Sequence, residues 1–277
     1  MFPFADNNPT HRTPFVTYAL IAINVIAFLW FGSLEPDKQL EVSLRYGFIP
    51  ARISQLNSDE TLAIPLEKPT QEKVGYLVVE VPGRVAKLPP DDREIYRSLL
   101  TCMFLHGGWM HLIGNMWFLF IFGNNIEDRL GHVVFLLFYL LGGLAATGAH
   151  WAMYSDSTTP VIGASGAVSA VLGAYAVTYP FARVHTLIFL VIFVTVVDLP
   201  ALAVLGFWFL GQLLSFLGEM QMNMSGGVAF LAHIGGFVAG AVAMPILNAI
   251  IPHSKPPRVA EREAYERDDR WPADRWW

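Results

Sequence analysis

Apolar residues follow one another in long blocks along this chain, and charged residues stand almost only between the blocks. Seven segments contain no Asp, Glu, Lys or Arg: 13–34, 98–126, 130–155, 157–182, 184–197, 199–218 and 220–254. Six of the seven reach the roughly 20 residues that a membrane-spanning helix needs. The pattern therefore predicts an all-α polytopic membrane protein with six transmembrane helices, at about 13–34, 109–126, 132–152, 165–181, 200–217 and 228–250.

The remaining segment, 184–197, has 14 residues and is rich in Val, Ile and Thr, which favour strands over helices. We expect an interfacial hairpin or a re-entrant piece at 184–198 rather than a seventh crossing. With six crossings, the fourth and sixth helices run in the same direction and carry Ser165 and His233 toward the same face. A seventh crossing would move His233 toward the opposite side.

The connections between the blocks predict the orientation of the chain. Lys and Arg in short loops stay on the cytoplasmic side, and four of them fall on one side of a six-helix arrangement: Arg12, Arg129, Arg183 and Lys255. The N-terminus (1–12) and the polar tail (252–277) are then cytoplasmic, flanking the first helix and a core at 99–251. The long connection 35–98 becomes a small extramembrane lobe on the outer side, in which 74–81 resembles one strand entering a turn.

The composition supports a membrane location independently of the pattern. Hydrophobic residues make up 54% of the chain and charged residues 15%, and the mean hydropathy is +0.44. Soluble domains carry about 25% charged residues. We expect the lipid bilayer of the cell membrane as the surroundings, and no nucleic-acid partner. The single cysteine, Cys102, cannot form an intrachain disulfide and is interpreted as a small apolar residue.

Two polar side chains in apolar stretches indicate chemistry. Gly163-Ala164-Ser165-Gly166 presents a hydroxyl on a tight turn at a helix start. His233 lies in another apolar stretch, where a polar ring is costly without a partner or a task. The predicted spans offer no deep carboxylate for a third member. The sequence therefore predicts a dyad, with Ser165 as nucleophile and neutral His233 as base.

The second predicted transmembrane helix supplies groups suited to stabilising negative charge. His111 and Asn115 are four residues apart, so on a helix they share one face. Acyl transfer needs donors aimed at the oxygen that becomes negative, and a His N–H, an Asn amide and the backbone N–H of Ser165 are suitable. A helix start at Ser165 adds the positive end of a helix dipole. His106 lies nearer the outer boundary, where hydrogen bonding to loop backbone is the favoured interpretation.

In combination, these residues resemble the rhomboid family of intramembrane serine proteases over about 96–240. The matching motifs are His106, His111 and Asn115 on the second helix, Phe122-Gly123, Glu127 and Gly131 after it, Gly163-x-Ser165-Gly166, and Ala232-His233 with Gly236. The resemblance implies a six-helix core with Gly163 and Gly166 supporting the nucleophile. It also implies cleavage of the transmembrane segments of client proteins near the outer face, without a cofactor.

Two positions depart from the family pattern. Tyr96-Arg97 stands where many members carry Trp-Arg, which keeps an interfacial aromatic and a cation. Ser169 stands four residues after the nucleophile, where some members carry an aromatic that stacks on the base. A hydrogen bond from Ser169 to His233 would be one replacement for that stacking.

Other interpretations of the same residues remain open at this point. Gly236 and Gly240 have the spacing of small residues at close helix contacts, and we interpret both as packing. His106 and His111 are five apart with no acidic residue within a turn, so we expect no metal site. A transporter would more naturally show repeats or buried acids. A catalytically inactive rhomboid-like protein that binds transmembrane clients should lack Ser165 or His233, and both are present.

Overall fold

The structure is a computed structural model that describes residues 2–67, 70–74, 77–81, 83–190, 193–222 and 229–251. Its α-helices are α1 (Phe15–Gly32), α2 (Pro36–Tyr46), α3 (Asp92–Thr101), α4 (Trp109–Leu130), α5 (His132–Met153), α6 (Ser165–Thr178), α7 (Ala201–Met222) and α8 (Phe230–Ile250). Its strands are β1 (Phe2–Asp6), β2 (Leu62–Pro65), β3 (Thr70–Val74), β4 (Leu77–Val81), β5 (Val85–Leu88), β6 (Arg183–Leu190) and β7 (Phe193–Pro200). Short 3-10 helices cover Pro50–Asn57 and Cys102–Phe104.

The molecule is mostly helical, and it is a multi-pass membrane protein. Among the described residues, four helices are long and apolar enough to cross a membrane: α1, α5, α7 and α8. Helix α6 is apolar but has only 14 residues. Helix α4 has 22 residues, and its last turn carries Glu127 and Arg129. The count of six crossings stays a prediction.

Helix α6 forms the centre of the bundle. Every residue from Gly166 to Ala176 is buried, as expected for a helix that is apolar on all sides. Helix α8 packs directly on it, because a methyl group at Gly240 would overlap the carbonyl oxygen of Ala170, and one at Gly236 would overlap that of Gly166. Small residues thus let the two backbones approach closely. The interpretation of Gly236 and Gly240 as packing residues is confirmed.

The ends of α6, α4 and α7 differ from the prediction. Helix α6 ends at Thr178 rather than near 181, because the residue that follows, Tyr179, precedes Pro180 and is disfavoured in the helical region. Helix α4 continues past 126 to Leu130, because Glu127 and Arg129 are buried inside the protein rather than exposed at a helix end. Helix α7 likewise continues past 217 to Met222.

A three-stranded antiparallel sheet corrects the all-α class. Segment 184–198 lies in a hairpin of β6 and β7, so the hairpin alternative is what the chain adopts, while its position at a membrane interface stays a prediction. Strand β1 pairs with the free edge of β6, with Phe2 opposite Leu187 and Asp6 opposite Val184. An isolated hairpin is marginal in water, and a third strand stabilises it. Part of the predicted N-terminal segment 1–12 is therefore structured.

The predicted outer lobe contains helices α2 and α3 and two small antiparallel sheets. Strand β2 pairs with β5, and β3 pairs with β4. The expectation of one strand over 74–81 is wrong, because Val74 pairs with Leu77 across a hairpin. Residues 75, 76 and 82, on which part of that expectation falls, lie outside the described residues, as does the predicted cytoplasmic tail at 252–277.

Candidate active site

The turn before α6 depends on a glycine. Gly163 has φ +126°, a backbone conformation that residues other than glycine rarely adopt. Its N–H donates to the carbonyl of Cys102 at 2.8 Å, and Val161 pairs with Phe48 on both sides of an isolated bridge. These bonds fix the loop that leads into α6. Ser165 is therefore presented by a rigid turn, as the Gly-x-Ser-Gly motif predicts.

His111 packs directly against this turn. A side chain at Gly163 would meet the His111 ring, with its Cβ 2.5 Å from Nε2. The same Cβ position lies 3.7 Å from Ser165 Oγ, so the His111 ring edge and the serine hydroxyl are neighbours. Gly163 thus has a second function beside its φ, because it leaves room for a histidine next to the nucleophile.

His106 supports the loop rather than the reacting groups. It is fully buried, and its Nε2 accepts the N–H of Ala164, the residue before the nucleophile, at 3.4 Å. Its ring meets the His111 ring edge to face, with centroids 5.0 Å apart. The favoured interpretation of His106, a hydrogen bond to loop backbone, is what the structure has.

Donors gather where a developing negative charge would lie. Helix α6 begins at Ser165 without a side-chain cap, so its first N–H groups have no partner within the helix. Asn115, on the same face of α4 as His111, is 7% exposed and donates one amide N–H to the His111 carbonyl at 3.0 Å. An amide has two N–H donors, so the second can serve an oxyanion.

His233 lies in the first turn of α8 and faces α7. Its Nδ1 is 2.7 Å from Oε1 of Gln212 on α7. Two aromatic rings flank it, Trp208 with centroids 6.2 Å apart and Phe230 with centroids 6.3 Å apart. Gln212 was not among the residues that the sequence predicts. The available signal was a lone amide in the charge-free segment 199–218.

The suggested hydrogen bond from Ser169 to His233 is not formed. Ser169 is buried, and its hydroxyl donates to the Ser165 carbonyl one turn earlier at 2.6 Å. A serine in a helix commonly satisfies its hydroxyl in this way, because the carbonyl four residues back is within reach. The surroundings of His233 are supplied by α7 instead, through Trp208 and Gln212.

One cavity of about 470 Å³ brings these groups together. Its lining includes the four predicted reacting groups and the new amide: His111, Asn115, Ser165, Gln212 and His233. Across the described residues, no hydrogen bond joins Ser165 Oγ to the His233 ring. Catalytic hydrogen bonds are often long in unliganded enzymes and shorten when substrate binds. The cavity walls are mostly apolar, which strengthens any interaction between charge and donor inside it.

The polar groups of the cavity are suited to acyl transfer, since a hydroxyl, a ring nitrogen and several N–H donors converge there. Within the part of the chain that the structure describes, no group of three or more His, Cys, Asp or Glu side chains could hold a metal ion. Cys102 also borders the cavity, and its thiol is buried.

Fold and site together define a helical membrane protein with a serine and a histidine at one cavity. The model of the rhomboid domain matches residues 92–249. That match covers more than half of the chain, and this protein belongs to the rhomboid family.

Similar proteins come from Arabidopsis thaliana. RHOMBOID-like protein 12, mitochondrial, is 32% identical over 53% of this chain and 45% of its own length. Rhomboid-like protein 11, chloroplastic, is 38% identical over 26% of this chain and 25% of its own. RHOMBOID-like protein 1 is 30% identical over 47% and 29%. The chain spans less than half the length of these relatives.

Proposed function

We propose that this protein is an intramembrane serine endopeptidase that cleaves transmembrane segments of client membrane proteins. The observation that carries the proposal is the shared cavity, into which Ser165, His233, His111 and Asn115 converge from three helices. Membership of the rhomboid family supports it. None of these polar groups is needed for packing an apolar core, and polar groups held within a membrane protein commonly mark its task.

In the proposed reaction, Ser165 Oγ attacks the carbonyl carbon of the client peptide bond while its proton passes to Nε2 of His233. The carbonyl oxygen becomes negative and accepts hydrogen bonds from the Ser165 N–H, Asn115 and His111. The C–N bond then breaks as His233 returns the proton to the leaving amine, which leaves an acyl-enzyme. Water, deprotonated by the same ring, hydrolyses the ester and restores Ser165.

The proposal includes a six-crossing arrangement in the cell membrane, with both termini cytoplasmic and the site toward the outer face. The charges between the helices support this orientation. A cysteine placed at Asp59 in the outer lobe should react with a membrane-impermeant maleimide in intact cells, and one placed at His11 only after lysis. The opposite result would reverse the orientation.

The direct test is labelling of the detergent-solubilised protein with an active-site-directed fluorophosphonate. Wild type should be labelled, and Ser165→Ala and His233→Ala should not, because the reagent needs an activated serine. This experiment requires no knowledge of the client. Absence of labelling in well-folded wild type, repeated in lipid, would contradict the proposal and assign the protein to the rhomboid-like proteins that bind transmembrane clients without cleaving them.

A further inference from the structure

We propose that Gln212 is a positioning residue for His233, a role that rests on the proposed function. Its amide oxygen accepts the Nδ1–H of the ring, which fixes both the orientation of the ring and the nitrogen that carries the proton. Within the described residues, Gln212 is the only hydrogen-bond partner of the His233 ring. The base is thus completed by a neutral amide from a neighbouring helix.

Helices α7 and α8 align the two side chains by their register. Trp208 and Gln212 are four residues apart and share a face of α7, while His233 and Phe237 do so on α8. Trp208 packs on Phe237 with centroids 6.1 Å apart, and Gln212 meets His233 one turn along. The contact between Trp208 and Phe237 therefore sets the relative position of α7 and α8 along their axes, which brings Gln212 to the His233 ring.

The direction of this hydrogen bond decides whether His233 can act as a base. A neutral imidazole has one N–H and one acceptor nitrogen. With Oε1 of Gln212 accepting from Nδ1–H, the lone pair stays on Nε2, the nitrogen that must take the proton of Ser165. An amide that donated to Nδ1 would place the proton on Nε2 and block that transfer.

The choice of an amide over a carboxylate follows from the surroundings. An ionised Asp or Glu in an apolar membrane interior is far more costly to bury than a neutral group. A glutamine gives the same acceptor oxygen without a buried charge. Gln212 can thus orient His233 in a membrane interior, where burying the ionised carboxylate of a Ser-His-Asp triad would be costly.

The test measures the rate of fluorophosphonate labelling between about pH 5 and about pH 9, where histidine titrates. Gln212→Met keeps the length of the side chain but removes the acceptor. Gln212→Glu keeps an acceptor and cannot donate when ionised. Ser215→Ala is the matched control, since it removes a polar group from an exposed position on the same helix. His111 and His150, the other titratable groups that face His233, are unchanged in all variants.

We expect Gln212→Met to label roughly 10- to 100-fold more slowly at every pH, a part of the 10²–10⁴-fold that a general base contributes. Gln212→Glu should recover most of the rate at high pH and show its acid limb at higher pH, because a carboxylate stabilises the protonated ring. Ser215→Ala should match wild type. A helix-tethering role alone would slow both Gln212 variants without moving the acid limb.

Gln212→Met labelling at the wild-type rate, or Gln212→Glu behaving like Gln212→Met, would overturn the inference while the proposed function stands. Unlabelled wild type would overturn the proposed function and the inference with it. If the variants do not fold, nitrogen NMR of histidine-labelled wild type decides, with His233→Ala identifying the signal. The inference requires Nδ1 of neutral His233 to carry the proton, and a proton on Nε2 would overturn it.

Discussion

The two ends of the helix bundle treat their buried polar groups differently. At the site end, defined by Ser165 and His233, several donors have no partner among the residues that the structure describes. At the sheet end, defined by Asp6 and Glu127, carboxylates accept two to four hydrogen bonds each. Buried polar groups without partners are costly. The comparison indicates that the sheet end stabilises the fold, whereas the donors of the site end stay available to a bound ligand, as the proposed reaction requires.

At the sheet end, both carboxylate oxygens of Glu127 are hydrogen-bonded. Its carboxylate is fully buried and accepts the backbone N–H groups of Val16 and Thr17 at 2.9 and 2.7 Å, together with the Thr17 hydroxyl. His132 Nδ1 lies 2.6 Å from Oε1, the oxygen that also accepts the Val16 N–H. Residues of α4 thereby cap the start of α1, whose first N–H groups would otherwise lack partners. The first helix is fastened to the core at this point.

The site end keeps unused hydrogen-bonding groups close to the cavity. Asn115 uses one of its two amide donors, and α6 starts without a side-chain cap. Nδ1 of His106 is buried and has no partner within the described residues. Substitutions at this end should therefore reduce activity more than stability, and substitutions at the sheet end should do the reverse.

The largest effect expected from this comparison is on activity. Asn115→Ala should lower the rate of client cleavage roughly 10²–10³-fold if its amide is a principal oxyanion donor. The matched control is Asn24→Ala on α1, because Asn24 is also buried and bonds the carbonyl four residues back, Leu20 O, at 2.8 Å. A full rate in the Asn115 variant would transfer the oxyanion role to His111 or the Ser165 backbone.

The second effect is on stability. Glu127→Ala should lower the free energy of unfolding by about 3 kcal/mol, because it leaves the buried backbone N–H of Thr17 and the part-buried N–H of Val16 without acceptors. Thermal unfolding in detergent measures this, with the exposed Glu41→Ala as the control, which should melt at the wild-type temperature. Labelling per folded molecule should be unchanged. An unaltered melting temperature would remove Glu127 as a support of the sheet end.

The same contrast explains what the sequence could predict. Ser165, His233, His111 and Asn115 were predictable because each is polar within an apolar stretch, and the structure gathers them at one cavity. The helix positions followed from charge-free segments. The end of α4 could not be predicted in this way. Only the hydrogen bond from Thr17 of α1 shows that Glu127 lies inside the protein.

Long-range pairing set the remaining limits. Phe2–Asp6 is too short to predict as a strand, and it becomes one by pairing with β6 more than 170 positions later. Gln212 is a single amide in an apolar helix, which is equally compatible with a lipid-facing or a buried position. Only the register of α7 against α8 assigns it to His233. Local pattern therefore identified the polar residues that line the cavity, but not the residues that hold them in place.

The third prediction concerns the contact between α6 and α8, which joins the two ends. A methyl group at Gly240 would overlap the Ala170 carbonyl, so Gly240→Ala should lower the free energy of unfolding by about 1–3 kcal/mol. Gly206→Ala on α7 is the control, because no atom of the described residues lies within 4 Å of the added Cβ. That control should gain stability by up to about 1 kcal/mol from helix propensity. Equal effects of the two would show that α8 can shift away from α6.

The smallest effect tests the sheet end by pH. Asp6 accepts hydrogen bonds from Asn125 on α4 and from the Tyr175 hydroxyl on α6, and burial raises its pKa to about 6. A carboxyl whose pKa rises on folding stabilises the fold most when protonated. Its contribution is complete below the ordinary pKa of 3.8 and is lost as the pH rises through about 6. Docking of β1 should therefore weaken above that pH.

Asp6→Asn keeps an acceptor oxygen for both donors and cannot ionise, so it should melt at a higher temperature than wild type at neutral pH, by of order 1 kcal/mol of unfolding free energy. Below about pH 4 the two should melt together, because wild-type Asp6 is then neutral. His185 lies on β6 of this sheet, where it bonds Asp198 and Asn7 and interacts electrostatically with Asp6, so the comparison is repeated in a His185→Gln background. A difference in melting temperature that is independent of pH would show that the gain in stability comes from packing and not from the ionisation of Asp6.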